Sequence, residues 1–361
     1  MAVIVSQDHS KKDTVTLHDV AREAGVHAST VSRALDPARD FKVKESTRQR
    51  IIDVAGRLGY RPHMVARWLQ SGRTATVGIV VADLGNTFVT PIIHGVAGSI
   101  EGAGMLAIVA ETLDDHARFK NILDHMLSRR VDAVVAISAR ADDQEILESA
   151  GRIIPVVIAA RPLDETVLRQ VVQDDVMGGE SAAEHLVELG HRRVAQLRGP
   201  DDVANFARRA MGFSRVCRAH GVDEIELGDQ ARRPIISEGK RLTEQLVDRV
   251  DELPTAVFAH NDLMAIGALS VFGSAGLRVP GDVSLVGYND LPMVGLLSPP
   301  LTTVRYPSLE VGQRVGEVVL QLLAGHDAED IIIPPTFVVR ESTRRVGSAS
   351  LTRVASAGPG S

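Results

Sequence analysis

Two hydrophobic periodicities divide the chain. Up to about residue 60 the apolar positions recur at helical spacing. Val20, Ala21 and Ala24 form the apolar side of one short helix, and Val31, Ala34 and Leu35 that of a second. Thr16 and Asp19 make a capping box with Asp in the place of Glu. Gly25, between the helices, suits a turn that needs positive φ, and Val26 can lock that turn into the core. Asp36-Pro37 closes the second helix, and the segment to Val43 reads as a loop. A third helix follows over Ser46–Leu58, with Ile51, Ile52, Val54, Ala55 and Leu58 on one side, and Gly59-Tyr60-Arg61-Pro62 stops it. Residues 63–70 form a short helical segment with little to pack against, and isolated helices of that length are marginal in water.

From Thr76 the period changes. Short β-rich runs (Val77–Val81, Leu106–Val109, Ala133–Ile137, Val156–Ile158) alternate with longer helical patterns such as Pro91–Ala103 and Arg118–Arg129, as in a parallel sheet covered by helices. After Pro162 the pattern restarts. It predicts helices over Gly178–Leu189, Arg208–His220, Glu238–Val250 and Leu263–Ala275, and strands at Val194–Leu197, Ala256–Phe258 and Val283–Val286. Two α/β lobes of similar order form a clamshell, with a ligand between the carboxyl ends of the strands. Leu309–Leu323 reads as a helix returning to the first lobe, and Thr336–Arg340 as a late strand of the second. The expected division is a three-helix domain at 14–62, a short helical segment and linker at 63–75, and a two-lobed domain at 76–347. Within the last, lobe one takes about 76–161 and 306–325, and lobe two about 162–303 and 326–347. Tails at 1–13 and 348–361 are expected to be disordered, and the last lacks leucine heptads.

Composition narrows the class. The 361 residues, 44% hydrophobic and 24% charged, suit an ordinary globular protein. No run approaches the ~20 apolar residues of a membrane helix, and residues 1–13 lack the apolar core of a signal peptide. Cys217 is the only cysteine, so a reducing compartment, the bacterial cytoplasm, is expected. Net charge is −6 but unevenly placed. Residues 14–75 hold eleven Lys/Arg against six Asp/Glu, whereas 76–361 hold 27 against 38. A basic head on an acidic body is the footprint of a DNA-reading module on a sensor.

The second helix would offer Ala28, Ser29, Ser32 and Arg33, short polar groups and one Arg that can enter a major groove. Spacing alone leaves an ordinary helical hairpin equally open. The residues decide more. Thr16-Leu-x-Asp-Val-Ala-x-x-Ala-Gly-Val-x-x-x-Thr-Val-Ser-Arg-x-Leu35 resembles the N-terminus of the lac repressor (LacI/GalR) family of bacterial regulators. The likeness continues through Thr47-Arg-x-Arg, Leu58-Gly-Tyr-x-Pro62, Ala66-Arg-x-Leu69, His260-Asn-Asp, Val286-Gly-Tyr-Asn-Asp290 and Pro299-Pro-Leu-Thr-Thr303. The resemblance implies an α/β protein. A three-helix helix-turn-helix domain and a hinge helix would precede a two-lobed, periplasmic-binding-protein-like sensor with several crossover strands. It implies a homodimer on double-stranded operator DNA, nucleoid-associated when bound, with Leu69 wedging between base pairs in the minor groove. The DNA-facing set is Thr16, His18, His27, Ala28, Ser29, Thr30, Ser32, Arg33, Tyr60, Ala66 and Leu69. Trp68, His63 and Lys44 depart from the family pattern.

No catalytic constellation is found, nor a phosphate-binding glycine loop or a His-Glu-x-x-His metal motif, so neither enzyme nor cofactor nor metal is expected. His185 and His191 flank a helix end, where solvated or capping histidines are common. The cleft candidates are Phe88, Arg161, Arg209, Asn261 and Asn289. Phe88 lies in a loop that lines the family's pocket, and Arg209 sits in Arg208-Arg-x-x-Gly-Phe213, where relatives place an effector-gripping Arg. Asp262 reads as a helix N-cap. Ala160 and Asn289 stand where sugar-responsive relatives often carry Asp. With Arg161 and Arg209 retained, the cleft is expected to be positive and to favour an anionic sugar derivative over a neutral sugar. The alternatives are a solute-binding protein without DNA function and an α/β enzyme with a helical appendage.

Overall fold

The computed structural model describes residues 15–35, 43–60, 73–249 and 253–347. The expected hinge segment 63–70, with Ala66 and Leu69, and both expected tails lie outside the described residues, apart from the linker end at 73–75. Two compact units are distinguished, 1–74 and 75–361.

The first unit holds α1 (Leu17–Glu23), α2 (Ala28–Ala34) and α3 (Glu45–Leu58). The capping box forms as the sequence predicts: the Asp19 amide donates to Thr16 Oγ1, and the Thr16 amide donates to Asp19 Oδ2 at 2.9 Å. Gly25 turns the chain at φ +64, and Gly59 ends α3 at φ +65. Val20, Ala21, Ala24, Val31, Ala34, Ile51, Val54 and Ala55 make the small core, with Val26 packed against it. Lys44 starts α3 without a side-chain cap.

The second unit contains two six-stranded sheets. Lobe one is built from β1 (Thr76–Val81), α4 (Val89–Glu101), β2 (Leu106–Glu111), α5 (His116–Ser128), β3 (Ala133–Ala136), α6 (Gln144–Gly151), β4 (Val156–Ala159) and β5 (Arg169–Gln173). Lobe two follows with α7 (Asp175–Glu188), β6 (Arg193–Leu197), α8 (Ala204–Ala219), β7 (Asp223–Ile225), α9 (Ile236–Arg249), β8 (Ala256–Ala259), α10 (Asp262–Ser274), β9 (Ser284–Asn289) and β10 (Thr302–Arg305). The chain then returns through α11 (Ser308–Leu323) and β11 (Ile331–Ile333) to lobe one, and ends in β12 (Thr336–Val338). The sheet orders are β11-β5-β4-β3-β1-β2 and β12-β10-β9-β8-β6-β7. Every pairing is parallel except β10 with β12. Val- and Ile-rich strands such as β1 and β3, buried on both faces, are what such sheets require.

The lobe boundaries differ from the sequence reading. The stretch after Pro162 was assigned to lobe two, yet β5 pairs with β4, and β11, assigned to lobe two within 326–347, pairs with β5. The chain therefore changes lobes after Gln173, near Arg305–Pro307 and after Ile333. The misreading has a physical cause. Arg169-Gln-Val-Val-Gln173 looks half-polar, but the Gln173 amide is buried because its Nε2 donates to Arg305 O at the neighbouring crossover, 2.9 Å away.

One packing device recurs three times. Gly95 of α4 faces Gly312 of α11, Gly179 of α7 faces Gly212 of α8, and Gly239 of α9 faces Gly267 of α10. At each of the six positions a Cβ would collide with backbone of the partner helix. Helices in such contact cannot relieve an added methyl by a rotamer change, so overpacking costs about 1–3 kcal/mol or more. Gly312→Ala should therefore lower the unfolding midpoint by several degrees. Gly98→Ala is the control: it sits in α4 with nothing within 4 Å of its would-be Cβ, and should stabilise by up to ~1 kcal/mol. Thermal unfolding of both variants checks this; equal midpoints would show that the close approach is not real.

Candidate DNA-reading face and effector cleft

In the first unit, α2 presents a polar face. Val31 and Ala34 are buried, while His27, Ser29 and Arg33 are exposed and Ala28, Thr30 and Ser32 half-buried. His27 is the N-cap of α2. Its Nδ1 accepts from the Ser29 amide at 3.3 Å and lies 2.8 Å from Ser29 Oγ. Thr16 is likewise a cap, so these two polar residues hold helix ends as well as facing outward. His18 is exposed beside them, and Tyr60, half-buried against the core, has its phenol pKa raised by burial. The structure thus brings nine of the eleven expected DNA-facing residues into one small domain.

In the second unit, a cavity of about 410 Å³ opens between the lobes. Lobe one lines it with Ala82, Asp83, Gly85, Asn86, Asp114 and Arg161, and lobe two with Arg233–Ser237 and Leu263. All of these lie at or beyond strand ends, where parallel sheets collect ligands. Of the five cleft residues expected from sequence, Arg161 alone lines this cavity. It is already engaged: Nη1 donates to Asp114 Oδ1 at 2.6 Å and to Ser138 O at 3.2 Å. Burial would raise the Asp114 carboxyl, but Arg161, with Arg140 and Arg233 behind it, holds it below the usual range. Arg233 pairs with Asp83 at 3.3 Å. Two carboxylates and two guanidiniums balance, and the positive cleft expected from sequence is not what these residues build.

Arg209 overturns the same expectation from the other side. It is 1% exposed; its Nε donates to Asp175 Oδ1 at 2.8 Å and its Nη1 to His260 O at 2.6 Å. Its guanidinium lies 3.6 Å from the centre of the Tyr288 ring. Burial drives the Asp175 carboxyl up, opposed by Arg209 and by hydrogen bonding from the Tyr288 hydroxyl. Removing one partner would strand a buried charge, at a cost of about 3–5 kcal/mol. Arg209 is therefore a neutralised structural element beneath the cleft, not a free cation. Asp175 went unread because the strand before it, β5, was not recognised.

The other candidates are also corrected in part. Asn261, not Asp262, caps α10: Asn261 Oδ1 accepts from the Met264 amide at 2.8 Å and Nδ2 donates to Pro234 O at 2.8 Å. Both functions of the Asn261 amide are thus used within the protein. Asp262 ties the next loop instead, accepting from the Leu291 amide and the Thr303 hydroxyl, both at 2.7 Å, and burial pushes its carboxyl up to about 7. Phe88 packs edge-on against Tyr306 at 4.8 Å. Asn289 ends β9 at φ +111, a conformation that Asn tolerates better than most residues. Its buried Oδ1 has no donor among the described residues, nor do Asp175 Oδ2, Asn205 Oδ1 and the Tyr306 hydroxyl. His185 is half-buried and bonds Thr343, and His191, 2% exposed and not solvated, bonds the Thr255 hydroxyl at 2.8 Å. His116, Asp142 and Asp143 bring three ligand-type atoms within 4.8 Å of one another. Asp143 is already committed, with Oδ1 on His116 and Oδ2 on the Arg140 amide.

A helix-turn-helix unit and a two-lobed sensor with an interlobe cavity define a ligand-sensing regulator. Residues 16–63 match the model of the bacterial regulatory proteins of the lacI family, and residues 183–343 that of a periplasmic binding protein-like domain. The chain belongs to the LacI family: it is a DNA-binding transcription regulator and not an enzyme. It is 30% identical over 343 residues to the transcriptional repressor PurR of Photobacterium profundum, covering 91% of this chain and 98% of that one. It resembles the lac repressor dimer bound to operator and the anti-inducer ONPF with TM-score 0.84 and 27% identity, over 92% of this chain and 100% of the other. It resembles the CelR–cellobiose complex with TM-score 0.68 and 30% identity, over 91% and 99%. Among the described residues no helix is long and apolar enough to cross a membrane.

The buried histidines make stability depend on pH. Desolvation lowers His191 to about 4 and takes His260 well below its ordinary value. The folded chain keeps these imidazoles neutral while the unfolded chain protonates them below about 6.5, so their contribution is present above that pH and lost on acidification. The drift from Asp262 runs the opposite way, because its raised carboxyl favours the fold at low pH. A difference measurement isolates the histidine. The stability gap between wild type and His191→Asn should shrink by about 2 kcal/mol between pH 7 and pH 5. Urea unfolding at both pH values reads it, and a constant gap refutes the neutral, buried His191.

Proposed function

We propose that this chain is a homodimeric repressor acting on the bacterial chromosome in the cytoplasm. It reads a near-palindromic operator through α2 and responds to a neutral, polyhydroxylated ligand held between the lobes. The observation that carries the ligand class is the charge balance of the cavity. Asp83 and Asp114 are each answered by an arginine, and Arg209 by Asp175. An anion entering would have to break a pair or go unneutralised. The cavity wall offers carboxylate acceptors at Asp83 and Asp114 beside guanidinium donors at Arg161 and Arg233, which suits a hydroxyl-rich ligand that both donates and accepts. The cellobiose held by CelR is of this chemistry. The edge strand β2 supports the dimer, because Leu106 (64% exposed) and Ile108 (46%) form an apolar face that a monomer leaves wet. Ligand binding then shifts a population between DNA-competent and DNA-incompetent dimers, which requires a different affinity for each.

Thr16, His18, His27, Ala28, Ser29, Thr30, Ser32, Arg33 and Tyr60 form the proposed DNA face, with Ala66 and Leu69 of the hinge segment completing it. Arg33 is assigned to a guanine, worth ~1–3 kcal/mol of discrimination. In a binding-site selection, Arg33→Ala should relax preference at one position per half-site, and an unchanged selected sequence would sink the assignment. For the ligand, calorimetry should show a neutral sugar or glycoside binding tighter than its phosphorylated or acid counterpart. The reverse order restores the anionic reading.

A further inference from the structure

Loops beyond the carboxyl ends of the strands in both lobes meet along one rim. Three arginine–aspartate pairs cross it. Arg140, after β3, pairs with Asp202, after β6. Arg208 of α8 reaches Asp164, after β4, at 2.5 Å. Arg233, before α9, reaches Asp83, after β1, at 3.3 Å. In each pair one partner belongs to lobe one and the other to lobe two. At least one partner of every pair is well exposed: Asp202 by 62%, Asp164 by 77% and Arg233 by 47%. Exposed pairs are weak and are screened by salt.

The rim is also wired to the cavity. Asp83 and Arg233 line it directly. Arg140 lies 3.6 Å from Asp114, the wall carboxylate that Arg161 holds. The charges alternate without a break from cavity to rim: Arg161, Asp114, Arg140, Asp202. A hydroxyl that donates to Asp114 weakens the hold of that carboxylate on Arg140 and leaves the guanidinium to Asp202 across the cleft.

We propose that these three pairs form a salt-labile electrostatic clasp that sets how far the lobes close, with Asp114 and Arg140 coupling it to the occupant of the cavity. The inference concerns the lobes alone and stands apart from which ligand or operator the protein takes. One exposed pair shifts an equilibrium by about one-and-a-half- to fivefold, so three together shift closure by about three- to a hundredfold.

Native-state hydrogen exchange on the full chain, with no ligand added, tests it. Raising KCl from 0.1 M to 1 M cuts the screening length from about 10 Å to about 3 Å. In the wild type this should speed exchange of the hydrogen-bonded rim amides of Gly199, Val203 and Ile235 by about three- to a hundredfold, while the amides of β3 stay protected. The triple variant Asp83→Asn/Asp164→Asn/Asp202→Asn should exchange fast at the rim in both salts. The exposed pair gives a rescue: Arg208→Asp alone should speed rim exchange, and Arg208→Asp/Asp164→Arg should restore it. Rim exchange indifferent to KCl in the wild type, or a swap no slower than the single variant, overturns the clasp.

Discussion

A single ion pair, buried on all sides, organises the sensor: Asp175 with Arg209. It sits where the chain first leaves lobe one, since Asp175 opens α7 two residues after β5 ends. Its geometry depends on backbone that only glycine permits. Gly179 and Gly212 let α7 and α8 touch, and a Cβ on Gly179 would strike the Arg209 carbonyl itself. Tyr288 stacks on the guanidinium and donates to Asp175 at 3.1 Å, while the carbonyl of His260 fixes another corner. So β8, β9, α7 and α8 are all pinned to one pair of charges. Such a pair is weak evidence for net stability, because desolvation offsets most of its attraction. What it provides is a single allowed arrangement, because any rearrangement that separates the partners leaves a charge in a dry interior.

That arrangement has a consequence for the cleft above it. With Arg209 neutralised below and Asp83, Asp114, Arg161 and Arg233 balanced around the cavity, the binding surface has polarity without net charge. Selectivity then has to come from hydrogen-bond direction and shape, not from Coulomb attraction. Discrimination by buried polar groups is steep when a ligand fails to satisfy them. The cavity wall sets carboxylate acceptors at Asp83 and Asp114 beside guanidinium donors at Arg161 and Arg233, a pattern that penalises a ligand able to match only one kind.

Much of this was legible in the sequence, and what was missed shares a cause. Long periodic elements, the capping box, the turn at Gly25 and the stop at Gly59 were readable because their signals are local. The strands that escaped, β5, β7, β10 and β11, are three to five residues long. Their polar residues are satisfied by distant partners, as Gln173 is by Arg305. The cleft failed in the same way. Arg161 and Arg209 could be picked out by motif, but their neutralising partners Asp114 and Asp175 lie 47 and 34 residues away in sequence. A charge read without its partner gives the wrong sign to a pocket. The cap at α10 was misassigned by one residue because Asn261 and Asp262 are both good caps, and only the tertiary use of Asp262 by Leu291 and Thr303 decides between them.

The weakness of the cross-cleft pairs fits what a sensor needs. A ligand moves a two-state equilibrium only by its differential affinity, and a swing from 1:99 to 99:1 takes about 10⁴-fold, or about 5.5 kcal/mol. If buried pairs like that of Asp175 and Arg209 spanned the lobes, the closed state would be fixed and no modest ligand could report its presence. On the proposed clasp, the exposed pairs at Asp164, Asp202 and Arg233 would instead leave closure near balance. A few hydrogen bonds to the proposed ligand would then be enough to tip it. The molecule thus places its strong, desolvated charge pair inside lobe two, where uniqueness matters, and its weak pairs between lobes, where reversibility does.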